Sequence, residues 1–141
     1  MKIHTVILAA GEGSRMLSNK AKSLQPVGGL SMLRRIFDTV SNLTDETSFV
    51  VGFEKDSVTN AVEKFSGINH ICEQKKPIGT ADAVKSALDS IKQDSKVLVL
   101  YGDVPLIKKE TLNNLISMTD DSLTILSTEL KDPTGYGRVK K

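Results

Sequence analysis

The chain has 141 residues, 39% of them hydrophobic and 26% charged, a balance that fits a folded globular domain and excludes a disordered one. Its 19 basic and 17 acidic side chains leave a net charge of +2, too weak a field for bulk nucleic-acid binding, so an anionic ligand has to be met by a local site. A single cysteine, Cys72, excludes an internal disulfide and a cysteine metal cage, and no apolar run approaches the roughly 20 residues of a spanning helix, so the expectation is a cytoplasmic protein with no membrane and no nucleic-acid partner.

Elements alternate along the chain. HTVILA at the start is a short β-branched run, the pattern of a strand buried on both faces. Leu33, Ile36, Phe37 and Val40 then recur at helical spacing behind Ser31, a ready N-cap. SFVVGF reads as a second strand, and Val58, Ala61, Val62 and Phe65 as the inner face of a second helix. INHICE is a weaker third strand. GTADAVKSALDSI places Val84, Ala87, Leu88 and Ile91 on one side of a third helix. KVLVLYGD is the strongest strand of the chain, KKETLNNLISM a short helix through Leu112, Leu115 and Ile116, and SLTILSTEL a further strand; KDPTGYGRVKK is turn chemistry.

This alternation predicts an α/β fold of Rossmann-like, doubly wound type with right-handed βαβ crossovers and a mainly parallel sheet. Ligands of such sheets sit outside the carboxyl ends of the strands. Three chemically unusual loops follow strands or open helices, at residues 9–22, 74–80 and 101–107, and all three are expected on one rim.

The first loop, LAAGEGSRM, has the makings of an anion cradle. Gly11 and Gly13 let several amide N–H groups turn toward one ligand, Ala9 and Ala10 keep the strand exit narrow, Arg15 adds a forked donor and Lys22 a point charge. Rival glycine motifs fit poorly. A dinucleotide fingerprint needs a third glycine where Met16 stands, and a P-loop needs a Gly-Lys-Ser/Thr run that is missing.

LAAGEGSRM, followed by Lys22 and PVGG, resembles the signature of the sugar-phosphate nucleotidyltransferases, and LVLYGDVPLIKKETL with DPTGYGRV narrows the resemblance to the bacterial N-acetylglucosamine-1-phosphate uridyltransferases. The resemblance implies a nucleotide-diphospho-sugar transferase fold and transfer of uridylate from UTP to N-acetylglucosamine 1-phosphate. It implies that Leu8, Ala9, Ala10 and Gly11 hold the uracil and ribose, that Gly13, Arg15 and Lys22 hold the triphosphate, with Arg15 and Lys22 catalytic, and that Gln74 reads the uracil edge beside Gly79 and Thr80. It further implies that Asp103 binds Mg2+ and that Tyr101, Gly102 and Gly137 contact the sugar. By the same resemblance, residues 1–141 are the N-terminal part of a pyrophosphorylase domain, incomplete at its C-terminus and without a β-helix acetyltransferase domain. An open sheet edge then offers a route to a homo-oligomer. Another sugar-1-phosphate nucleotidyltransferase and a noncatalytic nucleotide-binding module remain as alternatives.

Some residues depart from the family pattern. Glu12 stands where lysine is common and is read as solvated; Ala21 replaces the usual proline. Asp82 occupies the position of a histidine in the nearest relatives, and its simple reading is an acidic first-turn residue favoured by the helix dipole. His4 and His70 have no partner at metal-ligand spacing and are assigned structural roles; Lys75-Lys76, Lys108-Lys109 and Lys140-Lys141 read as solvated pairs, and Cys72 as a buried bystander.

Overall fold

A computed structural model describes every residue except Ser14, Arg15, Leu17, Asp121, Lys140 and Lys141. Strand β1 (Ile3–Leu8) is central, and its four inner residues are buried. It pairs in parallel with β4 (Glu46–Val51) on one side and with β6 (Lys96–Tyr101) on the other, and β5 (Ile68–Glu73) extends the sheet beyond β4. The chain thus walks outward from β1 to β5 and returns to lay β6 on the other side of β1. The neighbouring strands β1 and β6 form the switch point at which such sheets open a crevice.

Helices cover both faces, as the doubly wound fold requires. The face formed by Ile7, Phe49, Val51, Leu98 and Leu100 receives α1 (Met32–Val40), α2 (Lys55–Val62) and α4 (Lys109–Met118). Ser31 caps α1 by accepting from the Arg34 N–H, and the helix buries Met32, Leu33, Ile36, Phe37 and Val40. Phe37 stacks on Phe65 with ring centroids 4.6 Å apart, and Phe49 tilts against both. Aromatic pairs of this kind add about 0.5–1.5 kcal/mol beyond their area burial. The opposite face is smaller: Val6 and Val50 pack on Ala83 and Ala87, from α3 (Thr80–Lys85) and the turn after it.

At the amino ends of the strands a polar cluster is fully knitted together. Glu46 accepts from His70 at 2.8 Å and from Lys92, while His4 and Ser48 share a hydrogen bond of 2.7 Å. Ser48 bonds Ser90 at 2.6 Å, and Ser90 donates to the Ala87 carbonyl at 2.6 Å. Because a carbonyl only accepts, the chain of donors runs back to an Nε2–H on His4. Burial, then charge on His70, lowers the pKa of His4, which suits a neutral imidazole. The hydrogen bonds from Lys92 and His70 hold the Glu46 carboxyl down at about 2. Both histidines therefore have structural work, as their isolation from metal-ligand spacing suggested.

Three local features, in the third helix, at residues 122–130 and at Cys72, differ from the sequence-based reading. The third helix ends at Lys85 and tightens into a 3-10 turn at Leu88–Ser90, because the N–H groups of Ala87, Ser90 and Ile91 bond three residues back and Ser90 is tied to Ser48; Leu88 is left 54% exposed. Residues 122–130 form no strand: no described backbone pairs with them, and β-propensity cannot substitute for a hydrogen-bonding partner. Leu123, Ile125, Leu126 and Leu130 are exposed. β6 is an edge strand, with Val97, Val99 and Tyr101 open on one face. Cys72 is half-buried, 3.7 Å from the Ser90 hydroxyl. In addition, Pro26–Val27 and Leu30–Ser31 form a hairpin, β2 and β3, around Gly28-Gly29, and Arg35 of α1 clamps it by donating to Val27 O at 2.5 Å and to Gly28 O at 2.7 Å.

Candidate nucleotide-binding site

The carboxyl ends of β1, β4, β5 and β6 surround a cleft of about 590 Å³. Each strand contributes its exit: Leu8–Gly11 after β1, Gly52 and Phe53 after β4, Gln74 and Lys75 after β5, and Tyr101–Asp103 after β6. Gly79, Thr80 and Ala83 at the start of α3 close one side, and Lys22 with Ser23 another. The three loops singled out by their chemistry meet on this rim.

Lys22 opens a short 3-10 turn, Lys22–Leu24, anchored by the buried Ala21 and Leu24. Its ammonium donates to Asp103 Oδ2 at 2.5 Å across 81 residues of sequence, and the two side chains are 37% and 34% exposed. Gly13 packs directly on this lysine. With φ +66 it sits in the left-handed region, and a Cβ there would lie 2.7 Å from Lys22 Cβ, so only glycine fits without displacing the side chain. Gly102 has a comparable constraint. Its N–H donates to Leu8 O at 2.8 Å, and a Cβ would come within 2.7 Å of that same oxygen. The missing side chain at Gly102 is what lets β6 leave the sheet against β1 and carry Asp103 to the rim.

Gln74 is buried at the floor of the β5 exit, 9% exposed. Its backbone N–H is held by Val51 O, and its side-chain amide donates to Gly79 O at 3.2 Å and to Asp82 Oδ2 at 3.0 Å. From sequence a glutamine offers both a donor and an acceptor. Here both amide hydrogens have partners within the protein, leaving Oε1 as the group free for a ligand.

Of the residues that the sequence singled out, Leu8, Ala9, Ala10, Gly11, Lys22, Gln74, Gly79, Thr80, Tyr101, Gly102 and Asp103 line this one cleft, and Gly13 supports it through Lys22. Arg15 lies outside the described residues. Gly137 is not brought to the cleft; it belongs to the exposed 131–139 segment, folded on itself by Arg138, which donates to Pro133 O and Tyr136 O at 2.5 Å each. Glu12 is exposed, as expected, yet borders the cleft, and so does Lys75. Gly52, Phe53, Ser23 and Ala83 were not picked out from sequence. The glycine within SFVVGF was the available signal: a Cβ on Gly52 would meet Ala10 Cβ at 3.0 Å, so the β4 exit also needs a small residue to approach β1. The Ser23 hydroxyl is buried without a hydrogen-bond partner among the described residues.

Among the described residues no three His, Cys, Asp or Glu side chains cluster as a ready metal cage. The rim carboxylate of Asp103 is nevertheless suited to a hard cation of the kind that takes one or two carboxylates and fills its other positions with phosphate oxygens and water. No described helix is long and apolar enough to cross a membrane.

The sequence matches the family described as MobA-like NTP transferase domain over residues 5–136. It is 46% identical over 138 residues to the bifunctional protein GlmU of Ruthia magnifica and 42% identical over 139 residues to that of Marinobacter nauticus. Each alignment covers 97% of this chain and 30% of the relative, so the chain spans about 30% of the length of these curated relatives. Among solved structures, a nucleotidyl transferase from Methanothermobacter superposes with a TM-score of 0.70 at 22% identity, covering 84% of this chain and 58% of that one. The 4-diphosphocytidyl-2C-methyl-D-erythritol synthase of Anaerococcus prevotii superposes with a TM-score of 0.67 at 25% identity, covering 82% and 49%.

Proposed function

Since this chain belongs to the MobA-like NTP transferase domain family and is a nucleotidyltransferase domain, we propose that it transfers uridylate from UTP to N-acetylglucosamine 1-phosphate, giving UDP-N-acetylglucosamine and pyrophosphate, with Mg2+ as cofactor. The observation that carries the proposal is the convergence of Lys22, Asp103 and Gln74 on one cleft at the switch point of the sheet. The motifs LAAGEGSRM and YGDVPLI and the likeness to the GlmU proteins support this choice of substrates.

In this reading the base sits against Leu8–Ala10 and Gln74, with Gly11, Gly79 and Thr80 allowing close backbone approach. A Cβ added at Gly79 would meet nothing within 4 Å, so the room needed by a ligand exists there. The triphosphate lies toward Gly13 and Lys22, and the sugar phosphate toward Tyr101 and Gly102. An oxygen of the sugar phosphate attacks the α-phosphorus of UTP. The new P–O bond forms as the bond to the β-phosphate oxygen breaks, and pyrophosphate leaves with that electron pair. No side-chain nucleophile is required. Lys22 supplies positive charge where negative charge accumulates, and loss of one such contact costs on the order of a hundredfold or more in rate.

Asp103 is the residue that would hold Mg2+, and the cation would supply neutralisation of phosphate charge. Lys22 and Asp103, which pair with each other, would then have different tasks, the lysine toward phosphate and the carboxylate toward the cation. A half-exposed pair of this kind is worth no more than about 1 kcal/mol, so exchanging it for those contacts costs little.

The test is a direct assay of pyrophosphate and UDP-N-acetylglucosamine formation with UTP, Mg2+ and N-acetylglucosamine 1-phosphate. Product formation that disappears in Lys22→Ala supports the proposal. A second reading, a nucleotide-binding module without turnover, draws on the position of Gly137 away from the cleft. It predicts calorimetric UTP binding with no pyrophosphate. Absence of both binding and product would overturn the two readings together.

A further inference from the structure

We propose that Asp82 is a positioning residue that locks the Gln74 amide with its carbonyl oxygen toward the ligand, making the cleft selective for a pyrimidine carrying an N3–H, uracil or thymine, over cytosine. This rests on the reading of the cleft as a nucleotide site and adds to it a mechanism of base choice.

The argument begins with what surrounds the amide nitrogen. Its two neighbours, Gly79 O at 3.2 Å and Asp82 Oδ2 at 3.0 Å, are a carbonyl and a carboxylate. Neither has a proton to give, so the orientation of Gln74 is dictated by chemistry and not by a choice between two equivalent amide placements. Turning the amide over would press Oε1 against two oxygens and exchange two hydrogen bonds for two repulsive contacts, with the NH2 group turned into the cleft. The Gly79 carbonyl would orient a glutamine weakly on its own; the carboxylate makes the contact charge-assisted and stronger. Gln74 Oε1 accepts from no described residue, and it is not among the buried polar atoms left without a partner, which are Thr5 Oγ1 and Ser23 Oγ. It is thus the accessible end of a side chain that is otherwise buried and fully bonded.

An acceptor fixed in this way has a definite preference. Uracil and thymine present N3–H between two carbonyls, and the hydrogen can be donated to Oε1. Neutral cytosine presents a bare N3 lone pair at the same position, so the contact becomes acceptor against acceptor. A glutamine free to turn would accommodate either base by offering its NH2 to cytosine. Asp82 removes that freedom. Asp82 does not line the cleft, so its influence on the base passes through Gln74. Its acidic character in the first turn of α3 has a simpler explanation in the helix dipole, but that explanation predicts no effect on which base is bound.

The test is calorimetric measurement of UTP and CTP affinity, both with Mg2+, for the unmodified chain, Asp82→Asn and Asp82→Ala, with folding checked by circular dichroism. An asparagine can donate or accept, and alanine can do neither, so each variant releases the amide by a different route. The unmodified chain is expected to bind UTP at least about tenfold more tightly than CTP, the size of effect that follows from one hydrogen bond made or left opposed. In the folded variants the ratio is expected to fall to about threefold or less, chiefly through tighter CTP binding. A gain for CTP is a readout that mere damage to the cleft would not give. UTP binding with an unchanged ratio in a folded variant, or an equal loss of both nucleotides, overturns this inference and leaves the nucleotide site standing. Failure of the unmodified chain to bind either nucleotide overturns both.

Discussion

The two ends of the sheet carry comparable sets of polar residues and differ in what is left over. At the amino ends, His4, Glu46, Ser48, His70, Ser90 and Lys92 bond to one another. At the carboxyl ends, among the described residues, Lys22 and Asp103 pair only with each other and Gln74 Oε1 accepts from none, and these groups border a cleft of about 590 Å³. The first cluster turns its hydrogen bonds on itself and so serves the fold; the second faces a cleft with room for a ligand. Polar residues inside a sheet therefore identify a site only together with room and unsatisfied chemistry, and here both lie at the switch point.

The contrast is broken most severely by removing charge from the cleft. Lys22→Ala or Asp103→Asn is expected to lower the rate of nucleotidyl transfer on the order of a hundred- to a thousandfold, measured as pyrophosphate release, while thermal stability stays within about 1 kcal/mol because the ion pair is half-exposed. Next in size is Gly102→Ala. The added Cβ would stand 2.7 Å from Leu8 O, and the displaced β6 exit should cost about 1–3 kcal/mol in urea unfolding. It should weaken nucleotide binding as well, since Asp103 follows directly.

The amino-end cluster should show the reverse: stability changes with no change in nucleotide affinity. Glu46, held at about 2 against an ordinary 4.5, contributes stability that is fully present above pH 4.5 and lost as the pH falls toward 2. Glu46→Gln should remove that contribution, so the two proteins differ most in urea midpoint near neutrality and converge on acidification. His4, whose pKa is lowered from 6.5, acts in the same direction from a higher pH, because the unfolded chain takes up a proton first and stability declines below about 6.5. The smallest effect is expected at Leu123→Ser. This leucine is 85% exposed, and the change should stay within about 0.5 kcal/mol by thermal unfolding; a larger loss would show that residues 122–130 pack as an element after all.

Much of this organisation was legible in the letters. β1, β4 and β6 follow their apolar runs, and α1, α2 and α4 their 3.6-residue spacing, because each buries a face that local pattern alone specifies; β5 forms by pairing with β4, with Ile68 and Ile71 left exposed. Elements shaped by distant partners were less legible. The helix after Gly79 keeps its apolar spacing to Ile91, but Ser90 reaches Ser48 on the sheet and the last turn tightens. SLTILSTEL has strand propensity without a strand to pair with. At the site, the glycine loop, Lys22, Gln74 and Asp103 announced themselves by residue type and by resemblance. The glycine of SFVVGF and the departure at Asp82 are visible in the letters, but their roles, a close backbone approach and a hydrogen bond to Gln74, are set by spatial neighbours that local sequence does not specify.

The most direct test is to titrate 15N-labelled chain with UTP and Mg2+ and follow backbone and side-chain amide resonances. The account predicts that shifts concentrate at Leu8–Gly11, Gln74, Gly79, Thr80 and Tyr101–Asp103, with His4, Glu46, His70 and Lys92 undisturbed. Shifts centred on the amino-end cluster, or none at the carboxyl-end residues at saturating nucleotide, would contradict it.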